Sequence, residues 1–425
     1  MLRLRSLETS VDLLAAESQK PSSLRYSGDE RVRLLVISDI HCLSKDIEQG
    51  KGYAGPTGSD FFIEERNARR NPILAIPNAW KDTPPKIDAL ICLGDLAHQS
   101  KRLPFLQAWH DLHQLADILN IPDVFAVTGN HDILSRAEDV LDAETRLEFL
   151  QTVSPDFPYR DHDFKKDYFG TGVATKELGS CCIIAIDTCR THGLGSSAET
   201  SKQIWEIGHI STTMREKVIA AIKASEATHY LIMMHHHPDR VDDINDIHTD
   251  AMKDGAEFLR DIGGIGKKCI VLHGHKHQVH LKHSLHGSPP PIVFSAATFA
   301  SKPYPSQSRG FENLFHVIEI DLNEQRFPAG AVYSWNWNGA QWGESKHVDM
   351  PHYVPFGRQV DVCEIAKTLS EIVITSKVTA AELHEKCPDL KFLHINQVDA
   401  LNEALKPFKR TVYPKHSKID AMLED

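Results

Sequence analysis

Six short apolar runs punctuate the chain: VRLLVIS (32–38), IDALICL (87–93), DVFAVT (123–128), CCIIAID (181–187), HYLIMM (229–234) and KCIVLH (268–273). Their hydrophobicity is nearly continuous rather than alternating, which predicts strands buried on both faces. Between them, 104–119 and 213–224 carry apolar residues at helical spacing, and Ser135 with Glu138 has the spacing of a capping box. Strands alternating with helices predict α/β layers.

After residue 290 the texture changes. IVFSAA (292–297), LFHVIEI (314–320) and AVYSWNW (331–337) follow one another without long helical intervals and read as antiparallel edge additions housed in a second sheet. From about 360 the pattern turns helical. Val362, Ile365, Ala366, Leu369, Ile372 and Val373 share one face, and Thr379 with Glu382 forms a second capping-box pattern. The expected organisation is a mobile segment over 1–28, a main domain over 29–350 with an insertion near 45–85, and a small C-terminal helical appendage over 351–425.

Composition narrows the function classes. At 425 residues, 41% hydrophobic and 25% charged, the chain can bury a substantial core, and no apolar run approaches a membrane span. The first twenty residues contain acidic side chains and no continuous apolar block, so no secretory signal is expected. Eight cysteines without a CxxC pair, several inside apolar runs, suit buried thiols in a reducing cytoplasm. A net charge of −11 argues against a surface built to neutralise nucleic-acid phosphates.

Polar clusters follow the strand-like runs. They are VISDIHCLS with Asp39 and His41, CLGDLAH with Asp95, VTGNHDI with Asn130, His131 and Asp132, LIMMHHHPDR with His235 to His237, and LHGHKH with His275 and His277. Ligand sites in α/β sheets form where strands end, so these clusters are expected to converge. Carboxylates, one carboxamide and imidazoles make a mixed oxygen and nitrogen donor set suited to manganese, iron or zinc. The donors exceed the needs of one tetrahedral ion, and two divalent ions sharing a carboxylate would use them. Such a pair suits phosphate ester hydrolysis.

The ordered series DxH, GD, GNHD, HHP and GHxH resembles that of the calcineurin-like metallophosphoesterase superfamily over residues 31 to 321. The resemblance implies a four-layer α/β/β/α sandwich of two mixed sheets flanked by helices. It implies Asp39, His41 and His277 as ligands of one metal, Asp95 as the bridge, and Asn130, His275 and one histidine of the 235–237 triplet at the other. Counting back from Pro238 in HxP spacing favours His236, with His235 the alternative because a one-residue slip reverses strand facing. His131 matches the family's catalytic histidine, oriented by Asp132. His98 and Arg240 are candidate substrate contacts. His273 is expected to be buried in its strand, His280, His283 and His286 to be ordinary polar positions, and the basic stretch Lys406–Lys418 to be a solvated helix end.

GDLAHQS and GNHD depart from the GDxVDRG and GNHE of protein serine/threonine phosphatases, and GNHD with HHP is more like the phosphodiesterase branch. The expectation is a hydrolase cleaving phosphodiester bonds of a nucleotide or other small diester with metal-activated water, using manganese foremost, or iron or zinc. The alternatives are a nuclease or phosphomonoesterase of the same superfamily, and a non-catalytic metal-binding scaffold. No membrane partner is expected, nucleic acid is disfavoured, and homo-oligomerisation is left open.

Overall fold

The computed structural model describes residues 31–45, 59, 61–64, 66–67, 70–80, 83–134, 145, 147–193, 207–239, 251–302, 312–373, 377–415 and 418–424. Segment 1–28, the region 46–58, the Ser135/Glu138 pair, most of the loop 190–205 and Arg240 lie outside them.

The first half of the fold runs β1 (Arg31–Ile37), β2 (Ala89–Cys92), α1 (Arg102–Leu119), β3 (Val124–Ala126), α2 (His162–Thr171), β4 (Val173–Leu178), β5 (Cys181–Ile186), α3 (Thr212–Ala224) and β6 (His229–Met233). It continues with α4 (Gly255–Gly263), β7 (Lys268–His273), β8 (Val279–His283), β9 (Ile292–Ala296), β10 (Leu314–Asp321), β11 (Gly330–Trp337), β12 (Trp342–Glu344) and β13 (Tyr353–Phe356).

Among the described residues these strands build two large mixed sheets. One has the order β12-β11-β10-β1-β2-β3, with β13 also on β11, and the other has β4-β5-β6-β7-β9-β8. The central strands are buried on both faces, every residue of β5 included, because each face meets a different layer. Leu34, Val36 and Ile91 of the first sheet meet Ile183, Leu231 and Leu272 of the second between the sheets. The outer face of the first sheet packs on α1 through Phe105, Trp109 and Leu112. That of the second packs on α3 and α4 through Val218, Ile222, Phe258 and Ile262. Helix, sheet, sheet and helix form the expected four layers.

The late strands differ from the expected antiparallel edge additions of a second sheet, being divided between the two sheets. β10 lies between β1 and β11 in the first sheet, antiparallel to both, and β9 runs parallel to β7. These are interior positions, which the run of buried residues Leu314 to Ile318 requires.

A side chain begins α2. The Asp161 carboxylate accepts the Phe164 amide at 3.1 Å and the Lys176 ammonium at 2.6 Å, capping α2. Asp161→Ala is expected to cost about 1 kcal/mol. Lys176, followed by the Phe164 amide, holds this carboxyl below its ordinary range. A pKa lowered by folding contributes stability above the unfolded value and loses it as pH falls through the folded one. Denaturant unfolding of the two proteins should therefore differ at neutral pH and converge in acid below the carboxylate range.

The C-terminal region has its own core. α5 (Val362–Ser370), α6 (Ala380–Lys386) and α7 (Val398–Leu405) pack Ile365, Leu369, Leu383, Leu401 and Leu405 against β14 (Lys377–Thr379), β15 (Arg410–Lys415) and β16 (Lys418–Glu424). The capping box forms, the Glu382 carboxylate accepting the Thr379 amide at 2.8 Å. The helices come with a sheet of order β14-β16-β15, so Lys406–Lys418 is largely strand rather than helix end. Val412 and Met422 turn inward in this hairpin while the lysines stay outside. α5 ends at Ser370, which leaves Val373 exposed although Ile372 is buried. The unit docks on the first sheet: Phe392 meets Phe327 with ring centroids 5.7 Å apart, and the Lys418 ammonium lies 4.2 Å from the Tyr353 ring.

Candidate metal centre

The ends of β1, β2, β3, β6 and β7 open on one edge of the sandwich, and the two sheets touch there. The His275 amide of the second sheet donates to Asp39 Oδ2 of the first at 3.0 Å, and His235 Nδ1 of the second lies 2.8 Å from the Leu93 carbonyl of the first. Gly129 and Gly274 permit this approach. A Cβ on Gly129 would stand 2.1 Å from Asp95 Oδ1, and one on Gly274 would stand 2.3 Å from Asp39 Oδ2. Neither position has room for a side chain.

Two donor groups share one carboxylate oxygen. In the first, His277 Nε2 is 3.3 Å from Asp39 Oδ1, and His41 Nε2 is 3.0 Å from His277 Nε2 and 3.5 Å from Asp95 Oδ2. In the second, His235 Nε2 is 3.3 Å from the same Asp95 Oδ2 and 3.1 Å from Asn130 Oδ1, which also lies 3.0 Å from His275 Nδ1. Asp39, Asp95, Asn130, His41, His235 and His277 are buried.

The backbone is strained at the same places. Asp39, His41, Asp95, His275 and His277 all have positive φ, between 48° and 79°. A left-handed residue other than glycine costs on the order of 1–3 kcal/mol and persists where the surroundings over-determine it, as at ligand clamps.

Charge follows burial and neighbours. Burial would raise the Asp39 carboxyl, but the imidazoles of His277 and His41 outweigh it and hold it well below the ordinary value. Burial would likewise lower His235, yet Asp95 and then Asp39 keep it up at about 9. Asp95 is held low against its burial, chiefly by His235 and His131. Anionic carboxylates facing imidazole nitrogens in a dry site are what a divalent cation would neutralise. The His235 ring is oriented for this, because its Nδ1 meets the Leu93 carbonyl at 2.8 Å and Nε2 is left facing Asp95.

His235, not His236, is the histidine of the triplet that reaches Asp95 and Asn130, which corrects the choice drawn from HxP spacing. Strand alternation explains it. Leu231 and Met233 face the space between the sheets, while Tyr230, Ile232 and Met234 face the outer helices. His235 continues the first set and His236 the second. His236 sits instead against Thr188, with 2.9 Å between Nδ1 and Oγ1.

Asp132 also differs from expectation. Its carboxylate accepts the amides of Asp95 at 2.9 Å, Ala97 at 3.1 Å and Gly129 at 2.9 Å, so it pins the two loops together rather than orienting His131. Burial, then Asp95, pushes it up to about 7 against those amides. His131 takes its orientation from the backbone: the Gln99 amide donates to its Nδ1 at 3.2 Å, leaving the ring proton on Nε2. Its own amide donates to Asp95 Oδ1 at 2.7 Å. The ring lies 4.7 Å from that of His41 and stacks on His98 at 5.2 Å. Burial lowers His131 to about 3 and His98 to about 2, so both are neutral at neutral pH. His98, a candidate substrate contact, thus lies beside His41 and His131. His273 is buried in β7, as expected from its place in the run.

An α/β sandwich with clustered carboxylates and imidazoles at its strand ends is an arrangement that could hold divalent metal ions. The model of the calcineurin-like phosphoesterase family matches residues 32–279, more than half of the chain, and the chain belongs to that family. Members use a dinuclear divalent metal centre, and the clusters above are of the kind that could hold one. A second model, wHTH-Calcineurin_assc, matches residues 354–407, which include α5 to α7.

Among solved structures the chain is similar to a Staphylococcus aureus protein assigned as a 5'-nucleotidase, at 13% identity and TM-score 0.37, covering 87% of this chain and 66% of that one. It is also similar to the phosphopantetheinyl hydrolase PptH of Mycobacterium tuberculosis, at 12% identity and TM-score 0.32, covering 66% of this chain and 92% of that one. The sulfate thiohydrolase SoxB of Thermus thermophilus matches at 10% identity and TM-score 0.33, over 73% of this chain and 57% of its own. The chain thus spans slightly less than two thirds of the first of these. Likenesses this distant say nothing of the substrate. No curated protein matches the chain. No helix among the described residues is long and apolar enough to cross a membrane.

Proposed function

We propose that the protein is a dinuclear-metal phosphodiesterase acting on a nucleotide or another small phosphodiester. The observation that carries the reading is Asp95 Oδ2 standing 3.5 Å from His41 Nε2 and 3.3 Å from His235 Nε2, between two complete donor groups. Asp39, His41, His277 and Asp95 would hold one ion, and Asp95, Asn130, His235 and His275 the other. Manganese, iron and zinc all suit these donors. When bound, a pair of divalent ions makes water acidic enough to supply hydroxide near neutral pH and neutralises phosphoryl oxygens.

The protein's own groups do the rest. Asp132 fixes the Asp95 and Gly129 loops through three amides. His131 presents Nε2–H to the leaving oxygen, and His98, stacked on it, lines the approach for the substrate. Neutral imidazoles on that wall suit a diester, which carries one negative charge, better than a monoester dianion. Arg240 remains a candidate phosphate contact. The buried free thiols, Cys363 apart, suit a reducing cytoplasm, and the net charge disfavours nucleic acid as substrate.

Bis(p-nitrophenyl) phosphate should be hydrolysed faster than p-nitrophenyl phosphate across a manganese, zinc and iron series, and a chelator should abolish both activities. Turnover of the monoester alone would overturn the diester assignment. No turnover with metals bound would leave a binding scaffold.

A further inference from the structure

On the far side of His235 lies a second group of metal-type donors, and it has a different chemistry. Cys189, His192 and His236 each offer one ligand atom, all within 4.8 Å of one another, and all three residues are fully or almost fully buried. The loop after β5 makes a tight turn, the His192 amide donating to the Cys189 carbonyl at 2.9 Å, which brings the C-x-x-H pair together. His236 arrives from the end of β6. Its Nδ1 is 3.9 Å from Cys189 Sγ, and its ring lies nearly perpendicular to that of His192 with centroids 5.0 Å apart.

The rest of the environment holds these groups in place. Thr188 Oγ1 lies 2.9 Å from His236 Nδ1 and anchors the ring beside Cys189. His236 Nε2 is buried with no hydrogen-bond partner among the described residues, in a site where a lone polar atom is costly. Gly208 covers the ring so closely that a Cβ there would lie 2.3 Å from His236 Cγ.

We propose that Cys189, His192 and His236 bind a third metal ion, separate from the dinuclear pair, and that this ion is zinc. One sulfur and two imidazole nitrogens form a softer set than the mixed oxygen and nitrogen donors around Asp39 and Asp95, and favour zinc over manganese or magnesium. Binding replaces the Sγ proton, which now bonds the Thr128 carbonyl at 3.2 Å, and that proton leaves to solvent as the sulfur–metal bond forms. The ion is a brace. It ties the loop after β5 to β6, beside Thr128 and next to His275, whose ring centroid is 4.3 Å from that of His236. The dinuclear pair would thereby gain a fixed wall on its Asn130 side.

The test uses the full chain with manganese in excess and zinc added in equivalents. Zinc X-ray absorption should report one sulfur with nitrogen neighbours, and total metal should reach about three ions per chain, falling to about two in Cys189→Ser. Cobalt in place of zinc should give a near-ultraviolet thiolate charge-transfer band that saturates at about one equivalent and disappears in that variant. His192→Gln, which keeps the sulfur, should weaken cobalt binding without removing manganese. A zinc shell of nitrogen and oxygen only overturns the proposal, as does a thiolate band unchanged by Cys189→Ser. If Cys189→Ser fails to fold, the absorption spectrum of the unaltered protein and the His192→Gln titration still decide.

Discussion

Asp95→Asn is expected to lower kcat/KM by roughly three to four orders of magnitude, the loss of several kcal/mol of charge stabilisation at about 1.4 kcal/mol per tenfold. The substitution keeps the volume and removes the charge. It also places an amide hydrogen where Oδ2 or Oδ1 now accepts, either toward the imidazoles of His41 and His235 or toward the His131 amide at 2.7 Å. Asp95 Oδ2 stands within 3.5 Å of an imidazole nitrogen in each donor group, so one ion should be lost while Asp39 and His277 retain the other. Metal stoichiometry measured beside kcat/KM checks this. Activity near that of the unaltered protein with both ions bound would remove Asp95 from the bridging role.

His131→Ala should reduce kcat by about 10²- to 10⁴-fold, the usual worth of a positioned general acid, while leaving metal content unchanged. The two effects separate because the hydrogen bond from His131 to Asp95 comes from its backbone amide, which alanine retains. The Gln99 amide on Nδ1 leaves Nε2–H to serve the departing oxygen. The loss should therefore be larger for a diester with an alkyl leaving group than for one with p-nitrophenolate, which leaves without a proton. Equal losses for both would assign His131 to substrate positioning instead.

Much of the centre was legible in the sequence because each donor sits within a few residues of a strand end. Asp39 and His41, Asp95, Asn130, and the pair 275/277 all follow runs whose burial on both faces was evident from their continuous hydrophobicity. The donors that were missed or misassigned depend on facing and on distant partners. His235 could have been chosen over His236 by carrying the alternation of Leu231 and Met233 past the end of β6, whereas counting from Pro238 measured from a turn. Asp132 was paired with its neighbour in sequence, yet its carboxylate serves amides 35 and 37 residues away. The C-x-x-H spacing of Cys189 and His192 was visible, but nothing local says that His236 stands beside it. The strands β15 and β16 were hidden by their lysines, since an exposed hairpin face has no apolar repeat to read.

By itself the chain's order of apolar runs and polar tips determined the α/β layering, the helices α1 and α3, and the kinds of atom available to a metal, because backbone periodicity and donor chemistry are local properties. Which donors meet was decided only by the tertiary structure. Two sheets must pack face to face before Gly274 can lie against Asp39, and before Asp95 from one sheet can stand between His41 and the His235 contributed by the other.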